Sequence, residues 1–268
     1  MLTWTAIAMR TIILPLPDRP KGLKISPRVV SELDRIRFIL DDRDDMAEFC
    51  WFAREYPRAY RHHASHAAFR LNSIYDSFEH MHKYFTKEVK DNSRKNAFSI
   101  AVGNTQVQTI YWDFESYLNS VSAALDVLAR ISGTAFRQHA PASFKDFCKK
   151  APEGTLKDIF LKAQNQWAQG MKDYRDCFVH YTPVDTLLMV EMARYPDGWE
   201  LRARLPSNPK AREILRFRWR RRSELLRYAI QVWQHFVSLD RAVALTIARA
   251  YRMGEYPQRT ADLFRIGS

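Results

Sequence analysis

Cysteine, glycine and long apolar runs are all scarce in this chain, and each scarcity argues against a class of protein. The three cysteines, Cys50, Cys148 and Cys177, are far apart and odd in number. We therefore expect neither a disulfide framework nor a cysteine-rich zinc site, and a cytoplasmic, reducing compartment fits. The 8 glycines form no phosphate-binding loop, so we expect no nucleotide cofactor. Because no stretch is long and apolar enough to span a bilayer, we expect no membrane partner.

Acidic residues are outnumbered by basic ones. Among 268 residues there are 42 lysines and arginines against 30 aspartates and glutamates, which gives a net charge of +12. Such a surplus favours association with a polyanion, and RNA is the partner that we expect. The alternative is a protein that is basic without a nucleic-acid partner. Hydrophobic residues make up 46% of the chain, which is enough to bury a core.

Four long segments carry apolar residues at alternating steps of three and four, the pattern of a helix that buries one face. Pro57 precedes the first segment, Gly133 follows the second, and Pro183 stops the third near Tyr181. Four such helices can bury their apolar stripes only against one another, which predicts a mainly α protein built on a four-helix bundle. The stripes are Tyr60–Phe85, Val107–Leu128, Leu156–Tyr181 and Leu225–Ala250.

Shorter elements surround the bundle. Ser26-Pro27 is a helix start signal, so we expect one helix from there to about Leu40 and a second short helix before Pro57. The polar stretch Asp91–Gly103 predicts a loop, and a short helix is expected around residues 144–148. The predicted division is an N-terminal extension with short helices, residues 1–56, and a helical domain, residues 57–268.

The hydrophobic period changes from helical to two between the third and fourth stripes. Residues 186–220 predict a three-stranded antiparallel meander inserted there, with a turn at Tyr195–Gly198. Alternation places several arginines on one face of these strands, where they are suited to RNA phosphates. The alternative is a solvated outer face over an apolar inner one. The predicted nucleic-acid-binding arginines are Arg202, Arg204, Arg216, Arg218 and Arg220.

The end of the third stripe carries a pair of residues that can cleave RNA without a metal. Arg175 presents a fixed fork of donors for a phosphate, and His180 can carry a proton near neutral pH. Asp176 lies between them and can orient either side chain. Five residues turn a helix by about 140°, so the pair converges only if the last turn unwinds or if two chains pair about this helix. The non-catalytic reading is an Asp176–His180 surface pair and an arginine in an ordinary ion pair.

Other residues offer weaker candidates. Arg61-His62-x-x-x-His66 matches the same spacing but lies in the first turns of the first bundle helix, so we favour Arg175 and His180. The histidines at positions 62, 63 and 66 lack a zinc-binding pattern, so we expect no metal site. Asp113 or Glu115 on the second bundle helix is a further group that can approach the arginine–histidine pair.

The helix order and the Arg175-Asp176-x-x-x-His180 motif resemble the HEPN superfamily (higher eukaryotes and prokaryotes nucleotide-binding) over about residues 57–252. The resemblance implies a HEPN-like four-helix bundle with the motif on its third core helix. It also implies a metal-independent endoribonuclease, a site formed at a homodimer interface, and a toxin or defence role with an antitoxin as a further partner. Some HEPN-like domains are silent, so a non-catalytic RNA-binding or protein-interaction module is the alternative.

Overall fold

The computed structural model of the chain describes residues 12–20, 23, 27–40, 47–92, 99–102, 105–135, 141–180, 190–213 and 216–253. Helices account for most of these residues, so the predicted mainly α class is confirmed. The helices are α1 (Arg28–Leu40), α2 (Ala47–Asn92), α3 (Thr105–Ala135), α4 (Phe144–Lys150), α5 (Thr155–Ala163), α6 (Gln169–His180) and α7 (Leu225–Arg252). The strands are β1 (Ser99–Val102), β2 (Val190–Tyr195), β3 (Gly198–Pro206) and β4 (Trp219–Glu224).

The apolar stripes of α2, α3 and α7 form the core. Every apolar position from Tyr60 to Phe85 that the α2 stripe contains is buried, and so are the stripes of α3 and α7. The α2 and α3 helices run antiparallel along most of their length, since Arg70 contacts Asp113 while His66, one turn earlier, contacts Ser120 further along α3. Tyr117 of α3 donates to the carbonyl of Ala229 at 2.9 Å, which joins α7 to this pair.

One predicted helix break does not occur. The short helix expected before Pro57 and the first bundle helix are a single helix, α2, with Pro57 in its interior. Proline removes one backbone hydrogen bond and costs about 3 kcal/mol or more inside a helix. Here Pro57 is buried, and burial of its apolar ring counteracts part of that cost. The boundary predicted between residues 56 and 57 therefore falls within a helix.

The third stripe is not one regular helix. A five-residue π-helical turn, Gln164–Ala168, joins α5 to α6. The wider turn inserts one extra residue, so the buried face moves from the expected Gly170 to Met171, which is fully buried while Gly170 is exposed. The ring of Trp167 in this turn stacks on His235 of α7 with centroids 5.9 Å apart.

The sheet has four antiparallel strands in the order β1-β2-β3-β4. The three-stranded meander is not confirmed as predicted. A further strand, β1, comes from the stretch expected to be a loop and pairs Ser99 with Ala193 of β2, and β4 begins only at Trp219, near the end of the predicted third strand. Residues 12–14 also reach this sheet, since Trp199 donates its backbone N–H to the carbonyl of Ile12 at 2.8 Å. Gly198 makes this approach possible. Its φ is +144°, and a Cβ atom added at this position would lie only 2.7 Å from the Ile12 carbonyl oxygen.

A carboxylate from α7 caps the start of α1. Asp240, which is buried, accepts the backbone N–H of Arg28 at 2.6 Å and that of Val29 at 3.3 Å. It also accepts the hydroxyl of Tyr60 at 3.0 Å. The predicted cap residue, Ser26, lies outside the described residues. One aspartate thus joins the N-terminal helix to α2 and α7.

Candidate functional site

The α6 helix positions the three residues predicted to be catalytic. Its inner face carries Cys177 and Phe178, both buried. The ring of Phe178 lies 5.6 Å from Phe114 and 6.0 Å from Tyr111, centroid to centroid, which anchors α6 against α3. Arg175 of the same helix lies beside α3, where it contacts Ser122.

Arg175 is held in one orientation by two side chains. Its Nε and Nη2 donate to Oδ1 of Asp176 at 2.9 and 2.6 Å, and its Nη1 donates to Oγ of Ser122 on α3 at 2.9 Å. The guanidinium is about one-third exposed, whereas Ser122 is buried. These contacts use three of the five guanidinium donors, so among the described residues two donors remain for an anion. Of the two side chains that Asp176 was predicted to orient, it contacts Arg175, and Ser122 is a partner that the sequence did not indicate.

His180 is exposed at the last residue of α6. Five residues of regular helix separate it from Arg175, so the two side chains leave the axis about 140° apart. Residues 181–189, where unwinding before Pro183 was expected, lie outside the described residues. Within one chain the helix brings Arg175 and Asp176 together and directs His180 to another side.

A further cation lies beside Arg175. Lys172, one turn earlier on α6, has its Nζ 3.5 Å from Asp126 of α3 and 5.6 Å from the ring centroid of Phe144. Lys172 and Arg175 therefore approach α3 at successive turns on the same side. The step of three residues between them is the signal that could have identified Lys172 from the sequence.

The arginines of the sheet are more strongly paired than expected. The alternation predicted for β3 is present, since Leu201 and Ala203 are buried while Arg202 and Arg204 are partly exposed. Arg204, however, forms a bidentate pair with Glu191 at 2.7 and 2.5 Å. Arg202 donates to Glu200 and lies 4.0 Å over the ring centroid of Tyr195. These two charges are compensated within the sheet, which reduces their field on a phosphate.

Arg216 and Arg218, which were predicted to lie on the third strand, instead precede β4, which begins at Trp219. Arg216 and Arg218 are exposed and flank the buried Phe217. Arg216 pairs with Glu213 at 2.8 Å, and both of these side chains are largely exposed. Arg220 lies in β4, and its side chain is outside the described part of the chain. The structure thus separates the predicted panel into a paired half and an exposed half.

The second arginine–histidine match belongs to a different cluster. His66 contacts Oγ of Ser120 through Nδ1 at 2.7 Å, and Nε of Arg70 donates to Nε2 of His66 at 3.2 Å. Nη1 of Arg70 donates to the buried Asp113 at 2.7 Å. Burial, with the nearby Arg70 and His62 charges, lowers the pKa of His66 and favours its neutral form. Asp113 therefore belongs to the α2–α3 contact and does not approach α6.

Glu115 lies on a different side of α3 from Asp113. It is half-buried, and this burial raises the pKa of its carboxyl group. Seven residues, or about two turns, separate Glu115 from Ser122, so both lie on the side of α3 that faces α6. Of the two acidic residues predicted as a further group, Glu115 is the one on the Arg175 side.

Neither a metal site nor a membrane-spanning helix is found in the described ranges. In those ranges no three His, Cys, Asp or Glu side chains converge in a way that would hold a metal ion. The rings of His62 and His66 lie 6.4 Å apart as a stacked pair. No helix in the same ranges is long and apolar enough to cross a bilayer. Comparisons of the chain with protein-family models, curated proteins and solved structures found no match.

Proposed function

We propose that this chain is a metal-independent endoribonuclease of the HEPN type. The observation that supports the proposal most is the guanidinium of Arg175, which Asp176 and Ser122 hold beside α3 while His180 lies exposed at the end of the same helix. A guanidinium that is already oriented can bind phosphoryl oxygens without reorganisation during the reaction.

The reaction is an internal transesterification of RNA. The 2′-oxygen attacks the adjacent phosphorus, the bond from phosphorus to the 5′-oxygen breaks, and a 2′,3′-cyclic phosphate and a 5′-hydroxyl form. His180 takes the proton of the 2′-hydroxyl or supplies one to the departing 5′-oxygen. Arg175 donates to the phosphoryl oxygens as negative charge develops, and Asp176 positions Arg175. DNA lacks the attacking hydroxyl and should be inert.

The proposal includes a homodimer. Because Arg175 and His180 point about 140° apart on one helix, two α6 helices that pair about a twofold axis can bring Arg175 of one protomer to His180 of its partner. Arg216 and Arg218, which are exposed just before β4, supply additional phosphate contacts. A toxin or defence role, with an antitoxin as a further partner, rests on the HEPN resemblance and is part of the same proposal.

A non-catalytic HEPN-like module that binds RNA or protein is the second candidate. It is favoured by the ion pair between Arg175 and Asp176, because a compensated arginine can bind phosphate without catalysing its transfer. Retained RNA binding without cleavage would select this candidate.

Mixing two inactive chains tests the proposed site. Arg175→Ala and His180→Ala chains are each expected to be inactive on single-stranded RNA. When they are mixed and allowed to exchange subunits, the heterodimer has one intact pair, so cleavage should return. Arg58→Ala, which changes an exposed arginine that pairs with Glu55 on α2, should cleave like the unmodified chain. Full activity in either single variant would contradict the assignment, and a mixture that stays inactive after proven exchange would contradict the shared site.

A further inference from the structure

The solvent-facing side of α3 lies between two cationic clusters. On one side, Ser120 contacts His66 of α2. On the other side, Ser122 contacts Arg175 of α6. Two residues of helix rise by about 3 Å and rotate by about 200°, so His66 and Arg175 flank α3 at nearly the same height and on opposite sides. A ligand that spans both clusters would contact the strip of α3 between them.

The strip presents an exposed aromatic and a carboxylate, Glu115, which is partly buried and lies three residues after Trp112. Trp112 is 46% exposed, and Asn119, two turns further along α3, is also exposed. Ser116 lies between them and is half-exposed. Steps of four and three residues place these side chains on one stripe of the helix. Of the acidic residues that border the stripe, Asp113 is buried against Arg70 and Asp126 accepts from the backbone of Phe144, so neither leaves an uncompensated charge on the strip.

A second exposed aromatic extends the strip toward α2. Phe69 is 62% exposed, and the guanidinium carbon of Arg70 lies 5.6 Å from the centroid of its ring. Phe69 also lines an open groove of about 430 Å³ together with Thr109, which is one turn before Trp112 on α3. Arg70 is itself fixed by Asp113. Two aromatic faces and two fixed arginines thus border the strip, which also contains the partly buried Glu115.

We infer that the strip formed by Phe69, Trp112, Ser116 and Asn119 binds single-stranded RNA. Unstacked bases lie on Trp112 and Phe69, while the backbone passes between Arg70 on one side and Lys172 and Arg175 on the other. Aromatic faces combined with a cationic groove are the chemistry that binds single strands with little sequence preference, whereas duplex bases are not accessible to such faces. The inference rests on the proposed RNA function, and it identifies how the substrate approaches Arg175.

The hydrogen-bond directions on the α2 side determine the protonation of His66. Ser120 donates its hydroxyl proton to the Ser116 carbonyl at 2.7 Å, so it accepts from Nδ1 of His66. Nε2 of His66 is then free of a proton and accepts from Arg70 at 3.2 Å. In this arrangement His66 is neutral and Arg70 keeps its charge. Arg70 is therefore the cation on this side, and the donors that its contacts with Asp113 and His66 leave can bind a phosphate.

Binding is measured with the full chain carrying His180→Ala, so that RNA is not consumed. The probe is a short, unstructured, fluorescently labelled RNA, and its anisotropy is followed as protein is added. Trp112→Ala should weaken binding about 5- to 100-fold, the effect of losing one stacked base. Trp112→Phe should restore most of the affinity, because it keeps an aromatic face. Tyr84→Ala is the matched control, since Tyr84 is 49% exposed on α2 but lies about 22 Å along the helix from Phe69.

Three results would overturn the inference. Equal affinity of Trp112→Ala and the parent chain would exclude a base-stacking role. Equal affinity for a duplex of the same sequence would show that the phosphates alone are bound. A change in oligomeric state with unchanged RNA affinity would assign the strip to a second copy of the chain. Cleavage by the otherwise unmodified chain separates the two proposals: cleavage that Trp112→Ala leaves intact contradicts only the strip, whereas tight binding without cleavage contradicts only the catalytic assignment.

Discussion

The cap that Asp240 provides for α1 gives a stability prediction that is independent of function. Asp240→Ala removes a carboxylate that accepts from Arg28, Val29 and Tyr60. Loss of an N-terminal cap costs about 0.5–2 kcal/mol. The hydroxyl of Tyr60, which has no exposed surface, would also be left without an acceptor, at a cost of about 1–3 kcal/mol. We therefore expect the free energy of unfolding to fall by about 2–4 kcal/mol.

Urea denaturation of four chains measures this effect and identifies its origin. Tyr60→Phe alone should lower the free energy of unfolding by about 1 kcal/mol, because it removes one hydrogen bond and leaves Asp240 in place as the cap of α1. In the Tyr60→Phe background, Asp240→Ala should cost about 1–2 kcal/mol less than in the unmodified chain, because no hydroxyl is stranded. A cost for Asp240→Ala below about 0.5 kcal/mol, or strict additivity of the two changes, would refute this account of the cap.

Three further variants test other parts of the structure. Burial raises the pKa of Glu224 to about 7 from an ordinary 4.5, so the stability that its proton confers is fully present below pH 4.5 and is lost as pH rises through about 7. That difference amounts to about 3 kcal/mol. In urea denaturation at about pH 5 and about pH 8, the free energy of unfolding should therefore change much less for Glu224→Gln than for the unmodified chain. Gly198→Ala should lower the thermal midpoint more than Gly154→Ala, since both have positive φ but only the former meets the Ile12 carbonyl; equal shifts would contradict the close approach. Ser122→Ala should slow RNA cleavage while leaving folding intact by circular dichroism, because Arg175 loses its contact with α3; an unchanged cleavage rate would show that this contact does not position Arg175.

The long helices were predictable because their apolar stripes are local and continuous. The residues from Tyr60 to Phe85 and from Leu225 to Ala250 alternate steps of three and four, and the corresponding faces are buried. Pro57 misled the prediction, because the cost of a proline inside a helix favoured a helix end before it, whereas α2 continues through Pro57. The π-helical turn at Gln164–Ala168 could not be predicted from the stripe, because the apolar pattern looks the same when the buried face shifts by one residue.

The sheet and the site depend on partners that are distant in the chain. β1 pairs with β2 across about ninety positions. Its alternating Ile100 and Val102 are a short strand signal inside an otherwise polar stretch. Alternation located Arg202 and Arg204 on the correct face of β3, and it also places Glu200 beside Arg202 on the same strand. The pairing of Arg204 with Glu191, however, required β2 and β3 to be in register. For Arg175, the motif identified the helix position, whereas Ser122 as its partner emerged only when α3 and α6 were packed together.

Cleavage of RNA in the presence of EDTA tests the central proposal most directly. A labelled mixed-sequence RNA and its 2′-deoxy counterpart are incubated with the unmodified chain, with Arg175→Ala and with His180→Ala. The account predicts that only the unmodified chain cleaves, that EDTA has no effect, that the products carry 2′,3′-cyclic phosphates, and that the deoxy strand stays intact. Intact RNA with a folded, dimeric sample across several substrates, or cleavage that persists in both variants, would contradict it.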